Sequence, residues 1–343
     1  MRIAIVNDMP TACEARRRVV SRLPGHTICW IATGGEEAVS LASRDRPDLI
    51  LMDLMMPGVD GVEATRRIMR QSPCAILIVT ASVSGAIGMV YDAMSWGAID
   101  AVDAPVLGPH EDLSGASAIA EKIRTIERFL GETPEAAGHS MTGSGTAGPP
   151  LLLIGASTGG PAAVCELLCR LSPDMQASVV IVQHIDRAFS AGLADWLGKR
   201  SGLRVGVARE GDPPTPGRVL LAGTDDHIVL RPEGVLAYVT EPVGLPYRPS
   251  VDVFLQSVAS HGPAAGVAAV LTGMGRDGAK GLFALRTRGW LTFAQDEQSS
   301  VVWSMPRSAI EAGAACHVLS PAQIGESAAI RLGISVRRPA PIR

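Results

Sequence analysis

The chain has 343 residues, 47% of them hydrophobic and 19% charged, with a formal net charge of −3. That balance excludes a disordered chain and gives no electrostatic reason to expect nucleic acid as a partner. The length suffices for two domains with separate cores, built mainly from Ala, Val, Ile and Leu because aromatics make up only 4%.

The opening MRIAIVNDMP is neither a signal-peptide core nor a membrane span, and no later uncharged apolar stretch reaches ~18 residues. Short apolar runs follow at Ile3–Val6, Thr27–Ile31, Leu49–Met52, Ala75–Val79 and Ile99–Val102, alternating with helical patterns such as Glu63–Met69 and closing with Ala116–Leu130. Five strands alternating with helices predict a doubly wound parallel sheet over residues 1–130, because parallel strands need helical crossovers. In such a sheet the ligand crevice lies outside the carboxyl ends of the strands. Asp8, Asp53 and Thr80 stand at three of those ends. Paired carboxylates there can hold Mg²⁺ through oxygen, with Asp53 as nucleophile for a phosphoryl group and Thr80 donating its hydroxyl to it. Strand-end caps and turns are the structural alternative for each residue.

From 131 to 150 the sequence GETPEAAGHSMTGSGTAGPP reads as a flexible tether. A second series of runs then begins: Leu151–Ile154, Val179–Val182, Val219–Leu221, Ile228–Leu230, Val267–Leu271 and Leu291–Phe293. This predicts a second α/β domain over 151–343, without internal repeats.

Its first run leads into Gly155-Ala156-Ser157-Thr158-Gly159, a G-x-S-x-G pattern whose small residues permit a tight turn exposing the serine. A glycine-rich turn before a helix equally suits phosphate. The run VVIVQ ends in His184, and GVAAVLT leads into a loop, 273–278, that satisfies G-x-G-x-x-G but contains Asp277. An anionic Asp277 would repel a pyrophosphate, yet it suits a residue that orients an imidazole. Ser157, His184 and Asp277 therefore form a candidate triad: nucleophile, general base and acid, and orienting carboxylate. The chain order Ser, His, Asp differs from that of α/β-hydrolases, chymotrypsin and subtilisin, so another α/β scaffold is required.

Positions 1–130 resemble a response-regulator receiver domain through VND at 6–8, LMDLMMPGVDG at 51–61, IVTAS at 78–82 and GAIDAVDAP at 97–105. The resemblance implies Asp53 as phosphoacceptor, Mg²⁺ held by Asp8, Asp53 and the Met55 carbonyl, and Thr80 as switch residue. Three positions depart from the receiver pattern: Asn7 replaces a first acidic residue, Ala104 replaces the lysine before the last proline, and Ala101 stands at the aromatic switch position. An alanine cannot form the lysine's ion pair, which predicts a weakened or altered switch.

The second half resembles the chemotaxis methylesterase family through GASTGGP, IVQHI, YRPSVDVF at 247–254, LTGMGRDGAKG at 271–281 and AQDEQSSVVWSMP at 294–306. The resemblance implies hydrolysis of glutamate γ-methyl esters on chemoreceptor-type proteins, with release of methanol, and in some members glutamine deamidation. It implies Thr158 and the Met274 backbone on the oxyanion side, a histidine kinase as phosphodonor, and a receiver that covers the esterase cleft until phosphorylated. Mg²⁺ would serve phosphorylation, not ester chemistry. MRIAIVNDMP and GVEATRRIMRQSPCAILIVT are similar to the branch found in Wsp-type surface-sensing systems.

Two other readings remain. One is a scaffold that keeps the fold and docks kinase or receptor; the other is a nucleotide-binding enzyme using both glycine loops, whose only ribose-binding candidate, Asp174, sits in a turn. Arg16-Arg17-Arg18 reads as a solvated or interface helix face rather than an anion site. The six cysteines show no CxxC pair and read as reduced, mostly buried thiols. Cytoplasmic localisation is expected, without membrane insertion.

Overall fold

The computed structural model describes residues 1–83, 85–107, 113–131 and 149–337. It divides into two compact units, Met1–Glu135 and Ala136–Arg343. Most of the expected tether, 132–148, lies outside the described residues.

The first unit runs β1 (Arg2–Val6), α1 (Pro10–Ser21), β2 (Thr27–Ala32), α2 (Gly35–Arg44), β3 (Leu49–Met52), α3 (Gly61–Gln71), β4 (Ala75–Thr80), α4 (Ile87–Ser95) and β5 (Asp100–Asp103). A short antiparallel pair, β6 (Val106–Leu107) and β7 (Leu113–Ser114), precedes α5 (Ala116–Gly131). The five main strands are parallel in the order β2-β1-β3-β4-β5. LILM and AILIVT are buried throughout, as strands covered on both faces must be. Ile3, Ile5, Val19, Leu51, Leu77, Ile119 and Ile123 belong to one core cluster, which joins the sheet to α1 and α5.

The second unit contains β8 (Leu151–Ala156), α6 (Gly160–Leu168), β9 (Ser178–Gln183), α7 (Arg187–Ser201), β10 (Arg204–Val207), β11 (Arg218–Leu221), β12 (His227–Leu230) and β13 (Leu236–Val239). Then follow α8 (Val251–His261), β14 (Val267–Val270), α9 (Ala279–Thr287), β15 (Leu291–Gln295), α10 (Ser304–Glu311), β16 (His317–Leu319) and α11 (Pro321–Arg331). Seven parallel strands lie in the order β10-β11-β9-β8-β14-β15-β16. The run at Ile228–Leu230 is not part of this sheet; it pairs with β13 as an antiparallel hairpin. Both edge strands, RVGV and HVL, are short and incompletely buried, which is why neither stands out as an apolar run.

The thiols depart from expectation. All six cysteines are free, but only Cys13 is buried; Cys29, Cys74, Cys165 and Cys169 are partly exposed and Cys316 is exposed. No helix among the described residues is long and apolar enough to cross a membrane.

Candidate active site and receiver site

Strand order dictates where chemistry collects in the second unit. The chain leaves β8 for β9 on one side and later returns through β14 on the other, so β8 is a switch point with a crevice beyond its carboxyl end. Ser157 follows β8, His184 follows β9 and Asp277 follows β14, on three neighbouring strands. The loops are tied together: Ser157 N–H donates to Thr272 O at 3.0 Å and His184 N–H to Ala156 O at 2.9 Å. The Gln183 side-chain amide donates to Ser157 O at 2.8 Å and to His184 O at 3.2 Å.

The small residues of the elbow are required by contact. A Cβ at Gly160 would meet Gln183 Oε1 at 2.0 Å, and one at Gly273 would lie 2.7 Å from Ser157 Cβ. Gly159 has φ +76°, where L side chains are strained, and α6 begins directly after it. Neither Thr158 N–H nor Met274 N–H has a recorded acceptor among the described residues.

His184 Nε2 lies 2.8 Å from Asp277 Oδ2. Asp277 also accepts from Val251 N–H at 2.6 Å, Asp252 N–H at 2.9 Å and Ser250 Oγ at 2.8 Å. Burial alone would push the Asp277 carboxyl up, but the His184 contact and the Asp252 and Ser250 donors outweigh it and hold the carboxyl below its ordinary range. An ionised carboxylate only accepts, so Nε2 carries the proton and Nδ1 presents the lone pair. Nδ1 is buried and without a partner, and no hydrogen bond joins it to Ser157 Oγ. The Tyr247 ring stacks on the imidazole at 4.0 Å between centroids and 11° between planes, and its hydroxyl donates to Met274 O at 2.9 Å.

The 273–278 loop is filled from inside. A Cβ at Gly275 would meet Tyr247 Oη at 2.4 Å, and the Asp277 oxygens are fully engaged. The Tyr247 hydroxyl against Gly275 and the Asp277 carboxylate inside the loop both count against a pyrophosphate there.

In the first unit Asp8, Asp53 and Thr80 gather at the ends of the adjacent strands β1, β3 and β4. Asp53 is 8% exposed and Thr80 2%. Burial raises the Asp53 carboxyl and the Asp8 charge adds to this, while Arg16 and Leu54 N–H oppose it. Two carboxylates that repel each other suit a divalent cation, which commonly takes one or two carboxylates with water and phosphate oxygens. No cluster of three His, Cys, Asp or Glu side chains that could hold a metal occurs among the described residues. Asn7 turns its Oδ1 to Met9 N–H at 2.7 Å. Ala104 N–H donates to Thr80 O at 2.8 Å. Met55 is 67% exposed. One expectation fails here: Arg16 is no part of a solvated face, for it is 1% exposed.

The CheB methylesterase profile matches residues 152–328, and the response-regulator receiver profile residues 3–111. The chain belongs to the CheB methylesterase family. A protein-glutamate methylesterase/protein-glutamine glutaminase from Burkholderia lata is 49% identical over 96% of this chain and 99% of its own. One from Pseudomonas aeruginosa is 48% identical over 93% and 96%. The crystal structure of the Thermotoga maritima CheB methylesterase catalytic domain is 34% identical and covers 53% of this chain and 97% of its own, at a TM-score of 0.51. The chain is thus a CheB-type methylesterase with an N-terminal receiver domain. Beyond the predicted residues, Tyr247, Gln183 and the Ser250–Asp252 donors contact His184, Ser157 and Asp277. Their signal was the clustering of polar residues in YRPSVD and before His184, without any indication of direction.

Proposed function

We propose that Ser157, His184 and Asp277 hydrolyse glutamate γ-methyl esters of a chemoreceptor-type protein. The observation that carries this reading is an imidazole locked by Asp277 on the strand next to the serine, its second nitrogen unpartnered. His184 Nδ1 takes the Ser157 Oγ proton as the oxygen attacks the ester carbonyl; Thr158 and Met274 N–H groups receive the oxyanion. The ester bond breaks, methanol leaves with the proton from Nδ1, and water activated by the same nitrogen releases the glutamate. With glutamine as substrate, ammonia leaves in place of methanol, the second activity named in the relatives.

The receiver, 1–130, regulates the esterase, 151–343, through the tether 131–150. Asp53 accepts a phosphoryl group from a histidine kinase: its Oδ–P bond forms, the donor's N–P bond breaks and the donor nitrogen is protonated. Asp8, Asp53 and the Met55 carbonyl would hold Mg²⁺, which when bound supplies charge neutralisation at the phosphoryl oxygens. Thr80 donates to the same oxygens. The protein acts in the cytoplasm, and the likeness of its opening to Wsp-type proteins supports a surface-sensing receptor as substrate.

The deciding assay is methanol release from a methylated receptor fragment by wild type and Ser157→Ala. Loss of several orders of magnitude is expected, since triad members act as a unit. Equal release by both would instead support a scaffold that docks receptor or kinase.

A further inference from the structure

We infer that Arg16 replaces the lysine missing at position 104 and contacts the phosphoryl group carried by Asp53, an inference that rests on Asp53 being the phosphoacceptor. Arg16 stands on α1, where Cys13, Val19 and Val20 are also buried. Its side chain is 1% exposed, whereas those of Arg17 and Arg18 are 48% and 31% exposed and pair with Glu14.

The guanidinium is held by two strand ends. Nη1 donates to Val6 O at 3.1 Å and Nη2 to Val79 O. Val6 ends β1 and Val79 lies near the end of β4, the two strands flanking β3 and hence Asp53. Nη2 stands 3.7 Å from Asp53 Oδ1. That is too long for a closed charge-assisted hydrogen bond, which spans about 2.7–2.9 Å. Nε is buried and has no acceptor at all.

A buried guanidinium with an idle donor and an open ion pair is costly unless something completes it. A phosphoryl group on Asp53 brings three further acceptor oxygens and more negative charge to this place. Arg16 has the donors to receive them, in a fork suited to phosphate. It breaks no bond; it stabilises the charge that phosphoryl transfer delivers.

Among the described residues, no basic group other than Arg16 is recorded against Asp53. Lys122 is the only lysine in the first 130 residues, and it pairs with Asp100 at 2.5 Å. Ala104, next to Pro105 after β5, ends at its methyl group. Arg16 thus reaches Asp53 from α1 instead of from the last strand.

The test uses the full chain with phosphoramidate and Mg²⁺, following acyl-phosphate formation by intact mass. Asp53→Asn should abolish the label; a label that persists overturns the Asp53 assignment itself. With the label dependent on Asp53, Arg16→Leu should slow its formation fivefold or more, and Arg16→Leu/Ala104→Lys should recover most of the rate. A slowing of less than fivefold, or no recovery in the double variant, overturns the Arg16 inference and leaves Asp53 standing. Ala104→Lys alone decides the matter if Arg16→Leu does not fold. It should change the rate less than fivefold, because the cation is already present; a gain of fivefold or more means that the place was empty and the inference is wrong.

Discussion

Asp277 and Asp53 begin from the same position: each follows a strand of a parallel sheet at the carboxyl edge, and they are 9% and 8% exposed. Their proton affinities move in opposite directions, Asp277 down and Asp53 up. Burial is alike, so donors make the difference. Asp277 accepts four hydrogen bonds, from His184, Ser250, Val251 and Asp252. Asp53 faces a guanidinium 3.7 Å away and a like charge on Asp8. The proposed roles account for this: a carboxylate that orients an imidazole is served by being saturated with donors, and one that receives a phosphoryl group by keeping the guanidinium beside it unclosed.

The largest break in this comparison is Asp277→Asn. The amide cannot be acceptor-only toward four donors, and it favours the His184 tautomer with the proton on Nδ1, where the base must be. Methanol release should fall by about 10⁴-fold, the scale for a triad carboxylate, with Asp53 phosphorylation unchanged. A loss below tenfold would mean that the four donors do not serve the imidazole.

Both strand-end clusters were legible from sequence because apolar runs in parallel sheets point to their own carboxyl ends. What could not be read was orientation. The donors to Asp277 come from residues 25–27 positions away and its imidazole from 93 positions away, and composition does not report which ring nitrogen faces which strand. Arg16 departs from the charged-face pattern for another reason. Three adjacent arginines look like a charged face, yet Cys13, Arg16 and Val20 follow the i, i+3, i+7 spacing of a buried stripe.

Next in size is Gly273→Ala. Its Cβ would stand 2.7 Å from Ser157 Cβ and 3.1 Å from Ser157 N, as well as close to the flexible Met305 Sδ. The elbow must shift, and a displacement on the order of an ångström costs about 10²-fold in rate. Methanol release by a chain with an unchanged melting profile checks this.

Asp252→Asn tests the same edge through stability. Burial and then the Asp277 charge raise the Asp252 carboxyl to about 7, so the fold prefers its protonated form. The stability this contributes is complete below pH ~4 and is lost as pH rises through 7. Asparagine keeps an oxygen for Gly281 N–H, which Asp252 Oδ1 accepts at 2.7 Å, and carries no charge. Relative to wild type, the variant should therefore gain roughly 4 kcal/mol of stability between pH 4 and 8, from about 1.4 kcal/mol for each pH unit by which the carboxyl is raised. Urea unfolding of both chains across that range measures it; a flat difference would show that neither burial nor the Asp277 charge raises the Asp252 carboxyl.

Tyr247→Phe is the mildest change and separates two ways of holding an imidazole. The phenyl ring preserves the stack on His184 at 4.0 Å, while the hydroxyl's bond to Met274 O is lost. One hydrogen bond of about 1 kcal/mol corresponds to a rate loss of roughly fivefold. If the bond positions the Met274 N–H as oxyanion donor, the loss falls on kcat and KM stays near wild type. Tyr247→Ala also removes the stack, adding about 0.5–1.5 kcal/mol. Equal losses for Phe and Ala would leave Asp277 as the sole support of the ring. A larger loss for Ala would mean that the imidazole is fixed from its edge and from its face, which the loosely held Asp53 has no counterpart to.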